Sequence, residues 1–175
     1  MNAASDEAVR AGLSSSLVAL WRYALVLSRN RDEADDLVQA TCLRALERSH
    51  QFMPGTRVER WLFTILRSIW LNELRSRRYR DPGDADPEIA GAFDGAAAAE
   101  TNILLTQVLK DVEALPEAQR ETLFLVYVEG HSYAEAAALL DVPIGTVMSR
   151  LAAARLKLAT ASGRRPDRPV ASGER

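Results

Sequence analysis

The sequence predicts an all-α protein made of two small helical domains joined by a flexible acidic linker, the second containing a helix-turn-helix. Three observations carry this prediction. Apolar residues recur at the 3.6-residue helical period through most of the chain, and no stretch keeps the strict alternation of a half-buried strand. Alanine is abundant while aromatics make up only 6% of the 175 residues, a balance that favours helix over sheet. Residues 81–99, DPGDADPEIAGAFDGAAAA, hold two prolines, three glycines, acidic charge and no sustained period, which mark a tether. The domains are therefore expected at 13–80 and 100–160.

Residues 1–12 read as a loose leader, polar and partly acidic, unlike a signal or transit peptide. Apolar residues at 13, 17, 20, 21, 24, 25 and 27 predict an amphipathic helix over 13–29, with Trp21 on its inner side. Residues 30–32 break it. A second helix over 33–49 opens on Glu33, Asp35 and Asp36, which complement the positive helix start. Its inner face is Ala34, Leu37, Val38, Thr41, Ala45 and Leu46, leaving Asp36, Gln39, Arg44 and Glu47 outside. Pro54 and Gly55 mark a loop over 50–56. The third helix, 57–79, is the longest, with Val58, Trp61, Leu62, Ile65, Leu66, Ile69 and Leu74 tracing its buried stripe.

In the second domain, Ile103, Leu104, Val108, Leu109 and Val112 make a helix stopped at Leu115 and Pro116. Residues 117–129 make another, with Leu123, Phe124, Val126 and Tyr127 inward and Gly130 closing its C-terminus. Ser132 followed by Glu135 fits a capping box, and a short helix runs on to Leu140. Asp141, Val142 and Pro143 interrupt it, and Asp141 is placed to cap the next helix, with Pro143 in its first turn. There Val147, Leu151, Ala154 and Leu158 form one buried stripe, and Ser149, Arg150, Arg155 and Lys157 fall off it. Two helices about a short turn, the second with a basic and hydroxyl face, match the pattern of DNA readers. An ordinary helical hairpin with solvated charges is the alternative. The chain after 161 reads as a disordered tail.

The net charge of −2 hides a segregation. Over 57–80 there are seven arginines against Glu59 and Glu73, whereas 81–100 holds six acidic residues and no basic one. The basic stretch is the footprint that a polyanion calls for. Little else points to chemistry. His50 and His131 have no partner at metal-ligand spacing, and Cys42, the only cysteine, reads as a packing residue within the second helix. The glycines lack phosphate-loop spacing, and the acids Asp32, Glu33, Asp35 and Asp36 complement a helix start. No enzyme, no metal, no cofactor and no small-molecule substrate are expected. No apolar run reaches the roughly 18 residues needed for a bilayer span, so membrane insertion is not expected and a cytoplasmic location follows. On the basic helix, Trp61, Trp70 and Tyr79 are interleaved with arginines, and Trp70, just off the apolar stripe, is the candidate for stacking on an unpaired base.

Together these residues resemble a known family. EADDLVQATCLRALE (33–47) and RWLFTILRSIWLNELRSRR (60–78) are similar to region two, and LPEAQRETLFLVYVEGHSYAEAAALLDVPIGTVMSRLAAARLKL (115–158) to region four, of the compact extracytoplasmic-function (ECF) sigma factors of bacterial RNA polymerase. The resemblance implies that Asp36, Leu37, Gln39, Arg44 and Glu47 dock on the clamp helices of core RNA polymerase. It implies that the third helix and the loop before it read and help open the −10 element, through Arg60, Arg67, Ser68, Trp70, Asn72, Arg75, Arg77 and Arg78. The linker would thread towards the polymerase active-site channel, and Thr146, Met148, Ser149, Arg150, Arg155 and Lys157 would meet promoter DNA at the −35 element. An anti-sigma factor would cover these surfaces.

The chain departs from the family pattern in two places. Ser68 and Asn72 stand where members commonly carry Asn and Asp, which puts the −10 base preference in doubt. Met148, Ala152 and Ala153 occupy positions often basic, aromatic or polar, so the −35 contact is expected to rest on phosphates and DNA shape more than on base edges. The competing reading is a sigma-like mimic that sequesters an anti-sigma factor without binding DNA; it need not keep the basic faces seen here. A stand-alone helix-turn-helix repressor would leave the first domain unexplained.

Overall fold

The computed structural model describes residues 3–80 and 102–161, and all regular structure among them is helical. They belong to two compact units. The expected linker at 81–99 and the tail after 161 lie outside the described residues.

The first unit is a bundle of three helices: α1 (Ala3–Ser28), α2 (Arg31–Glu47) and α3 (Val58–Arg80), with a single 3₁₀ turn at Ser49–Gln51. The first departure from expectation is at the start, where the supposed leader is the opening of α1. Its buried stripe runs Ser5, Val9, Gly12, Leu13, Ser16, Leu20, Tyr23, Ala24 and Leu27. Small and polar members at 5, 12 and 16 hide the helical period from a reading of hydropathy alone. By length and composition alone Ala4–Ser28 is long and apolar enough to cross a membrane. Its apolar side is packed on α2 and α3, the ordinary cause of such a pattern in a core helix.

A left-handed Arg29 (φ 57°) ends α1, and Asn30 opens α2 by accepting the Glu33 N–H on its side chain at 3.1 Å. The Trp21 indole N–H donates to Asp35 Oδ1 at 2.7 Å and ties the two helices together. In the core Tyr23 stacks on Phe63 with centroids 4.9 Å apart, beside Leu20, Leu62 and Leu66. Each such side chain contributes roughly 1.5–3 kcal/mol relative to exposure. Ahead of α3, Pro54 and Gly55 (φ 91°) occupy the middle of a tight turn closed by Thr56 N–H on the Met53 carbonyl at 3.2 Å, the pairing a type II turn requires.

The second unit contains α4 (Asn102–Glu113), α5 (Glu117–Leu123) running on into a π turn (Phe124–Val128), α6 (Tyr133–Leu140) and α7 (Ile144–Ala161). Helix α7 packs against α4, α5 and α6. The inward face expected over 117–129 is shifted: Phe124 and Leu125 are buried, Leu123 and Val126 are half-buried, and Tyr127 is 54% exposed. The π turn is the reason. It inserts one residue into the helical phase, with Glu129 N–H bonded to the Phe124 carbonyl at 3.1 Å. Gly130 (φ 71°) then lets His131 N–H turn back onto the Leu125 carbonyl at 3.0 Å, closing the helix as expected.

The capping box is present in full, with Ser132 Oγ accepting the Glu135 N–H and Glu135 Oε2 accepting the Ser132 N–H. Asp141, expected as a cap for α7, instead ends α6 in a left-handed conformation (φ 54°), its N–H on the Ala137 carbonyl. The carbonyl of Pro143 starts α7 by accepting the Thr146 N–H at 2.9 Å. Between them the chain bends by 104°.

Candidate nucleic-acid interface

On α3 the side opposite the core carries Arg60, Arg67, Ser68, Arg75 and Arg78, at spacings that align them along one face. From Arg60 to Arg78 this face extends about 27 Å at 1.5 Å per residue. Asn72 is exposed beside it and is held by Arg75, whose Nη2 donates to Asn72 Oδ1 at 2.8 Å. Ser68 Oγ donates to the Ile65 carbonyl at 2.7 Å, which leaves its lone pairs outward. An open groove of about 330 Å³ lies where Arg44 of α2 meets α3, lined by Ile69, Asn72, Glu73, Ser76 and Arg80.

Two residues assigned to this surface are turned elsewhere. Trp70 is 3% exposed and packs in the core, so its ring offers no face to a base. Arg77 lies over that ring at 5.6 Å and pairs with Glu33 at 3.2 Å and Glu73 at 3.5 Å. Both sit on the flank of α3 facing α2, where the charge of Arg77 is already balanced by two carboxylates. The aromatic that does reach solvent is Tyr79, 90% exposed. The loop tip adds Met53, 71% exposed. An interrupted apolar period in the last turn of α3 was the available signal for Tyr79; nothing in the sequence singled out Met53.

On α2 the exposed face holds Asp36, Gln39 and Glu47, with Arg44 half-buried at the groove. Leu37 is 5% exposed and belongs to the core, a correction to its place in the docking set. Sequence reasoning missed its apolar neighbours: Leu43 is 64% and Leu46 is 39% exposed, the latter having been expected inward. Asp36, Gln39, Leu43 and Leu46 follow one another at steps of three, four and three, which makes one mixed apolar and acidic face.

On α7 the buried stripe is Val147, Leu151 and Ala154, with Leu158 half-buried. The centre of the opposite face is Gly145, Ser149, Ala152 and Leu156, which carries no charge. Thr146, Arg150 and Lys157 flank one side, and Met148, 51% exposed, and Arg155 flank the other. Arg155 Nε donates to the Tyr127 hydroxyl at 3.0 Å and Nη2 to the Tyr133 hydroxyl at 3.3 Å. The hydrogen bond that Arg155 donates to the Tyr127 hydroxyl pushes its pKa above the ordinary value. Burial pushes the Cys42 thiol up. Among the described residues no group of His, Cys, Asp and Glu is placed to hold a metal ion.

A basic helical face in one unit and a helix-turn-helix in the other define a protein with two DNA-directed surfaces on one chain. Comparison with known proteins gives the family. Residues 14–80 match the Sigma-70 region 2 model and residues 106–158 the Sigma-70 region 4 model. The chain is 38% identical over 152 residues to the ECF RNA polymerase sigma factor EcfG of Rhodopseudomonas palustris, covering 87% of this chain and 83% of that one. It is 34% identical over 154 residues to the ECF sigma factor SigL of Mycobacterium tuberculosis, covering 85% of each. Among solved structures, the sigma factor RpoE of Bartonella quintana, crystallised with the anti-sigma factor NepR, superposes with a TM-score of 0.73 at 31% identity, over 91% of this chain and 98% of that one. The chain belongs to the ECF sigma factors of RNA polymerase.

Proposed function

We propose that this chain brings core RNA polymerase to particular promoters, helps open them, and is held in check by an anti-sigma factor. The observation that carries the reading is the pairing, on one chain, of the outward arginine face of α3 with the helix-turn-helix, each within its matching sigma region. Arg60, Arg67, Ser68, Asn72, Arg75 and Arg78, with the loop before α3, meet the −10 element. Phosphate contacts from arginine supply affinity and register without reading sequence. Thr146, Met148, Arg150 and Lys157 face the −35 element from the flanks of α7, and Ser149 from the centre of its outward face. The uncharged centre of that helix supports binding through phosphates and groove shape rather than base edges. Asp36, Gln39, Leu43, Leu46 and Glu47 form the polymerase-docking face. Anti-sigma control is supported by the related RpoE, which was crystallised with NepR. Sigma factors are not enzymes, and this one works in the cytoplasm beside core polymerase.

The test is transcription. Purified protein added to core polymerase should start RNA chains at defined sites on genomic DNA fragments. Tight anti-sigma binding with no specific start site would overturn this reading in favour of a mimic.

A further inference from the structure

The opening of α1 makes contacts that neither the promoter face nor the polymerase face requires. Ser5 is fully buried, and its hydroxyl donates to the carbonyl of Phe52 at 3.2 Å, across 47 positions of sequence. One residue on, the Asp6 carboxylate accepts the hydroxyl of Ser49. Val9 is fully buried, and a Cβ on Gly12 would overlap Val58 Cγ1, so α1 and the start of α3 approach as closely as only glycine permits. Phe52 is itself buried, its ring 5.4 Å from that of Trp61. The connection between α2 and α3 is thus pinned on its inner side at Ser49, Phe52 and Val58. Its outer side, residues 53–56, is exposed on a turn closed by Thr56. The region 2 match begins at residue 14, so Ser5, Asp6, Val9 and Gly12 lie outside it while their partners lie within.

We propose that the first turns of α1 are a brace for promoter opening, in which Ser5 and Asp6 are positioning residues that hold the loop before α3 in the geometry needed to engage the −10 strand. The inference rests on the assignment of that loop to the −10 element. Its physical basis is preorganisation. A tip with an exposed methionine and a proline-glycine turn keeps one orientation only if its base is anchored, and small misplacements of a positioning group are costly in rate. Loss of the two side-chain bonds should free the loop without touching the α2 face that meets polymerase.

The experiment uses the full chain, alone and as holoenzyme, with a promoter fragment recovered from genomic DNA by the wild-type holoenzyme. Hydrogen–deuterium exchange of the free chain should show residues 49–57 exchanging about tenfold faster in the Ser5→Ala, Asp6→Ala variant, the loss expected of one or two net hydrogen bonds. Core amides of α2 and α3 should keep their protection. In the holoenzyme, the rate of open-complex formation should fall about three- to tenfold while affinity for core polymerase stays within about twofold. Asp6→Asn, which keeps an acceptor for Ser49, should restore most of the loss that Asp6→Ala causes, and Glu7→Gln, exposed in the same turn, should behave as wild type. Unchanged exchange at 49–57 would overturn the brace, as would parallel loss of open-complex rate and polymerase affinity. Absence of promoter-dependent transcription by the wild-type chain would instead overturn the functional reading, and the proposal with it.

Discussion

Arg75 and Arg77 stand two positions apart on α3 and have different partners. Arg77 is ion-paired with Glu33 and Glu73 and lies over Trp70, with about a third of its side chain exposed. A partly exposed pair contributes about 0–1 kcal/mol and a cation–π contact about 0.5–1 kcal/mol. Arg77→Ala is therefore expected to lower stability by on the order of 1 kcal/mol in urea denaturation. Among the described residues, the bonds of Arg75 run within its own helix, to Asn72 and the Leu71 carbonyl. Arg75→Ala should leave the urea midpoint nearly unchanged and weaken promoter opening; the reverse assignment of the two effects would reject the geometry. Cys42 gives a second check at this scale. Burial raises its thiol pKa, so at any pH below that value it carries less thiolate than an unperturbed cysteine. Alkylation by iodoacetamide near pH 8 should be slower than that of a free cysteine, and faster reaction would contradict its packing in α2.

At the scale of the element, the glycines separate two physical costs. Gly130 has φ 71° and nothing within 4 Å of where a Cβ would sit, so Gly130→Ala meets only backbone strain, about 1 kcal/mol. Gly12 has an ordinary helical backbone, but its Cβ would overlap Val58, so Gly12→Ala meets packing strain instead. Loss of the capping box in Ser132→Ala should cost about 1 kcal/mol. Thermal denaturation should show Gly12→Ala relieved in part by Val58→Ala and Gly130→Ala not relieved by any side-chain truncation. Relief of both would mean that φ at 130 carries no strain. The elements that were legible from sequence are those whose signal is local. The stripe of α3, the Ser132–Glu135 box, the Gly130 stop and the Pro143 break each depend on residues within two turns. The opening of α1 was not legible, because its buried positions include Ser5 and Gly12, which no hydropathy pattern marks, and their partners Phe52 and Val58 lie far along the chain. The π turn at Phe124 was equally hidden, since no residue type over 117–129 marks a one-residue slip in phase. Trp70 and Arg77 were misassigned for a related reason: the core-facing arc of α3 is wider than the stripe from which they were judged, because two helices pack on it.

For the whole molecule, the net charge of −2 says little about DNA affinity, which is set by the cations that one face presents. On α3 those are Arg60, Arg67, Arg75 and Arg78, whereas Arg77 and its two carboxylates form a locally neutralised cluster. Each phosphate contact made by an outward arginine releases counterions, so its removal should make the slope of log affinity against log salt shallower by about 0.7 on single-stranded DNA. Holoenzyme binding to a promoter fragment carrying an unpaired −10 segment, titrated over a range of salt, should show this change for Arg60→Gln and Arg78→Gln, and roughly twice the change for both together. Arg77→Gln should leave the slope unaltered while lowering thermal stability, because its charge is neutralised before DNA arrives. An equal change of slope for Arg77→Gln would return it to the interface and would require its pairing with Glu33 to break on binding. A flat response to Arg60→Gln and Arg78→Gln would take the two ends of the arginine face of α3 out of promoter contact and leave Arg67 and Arg75 as its only cations there.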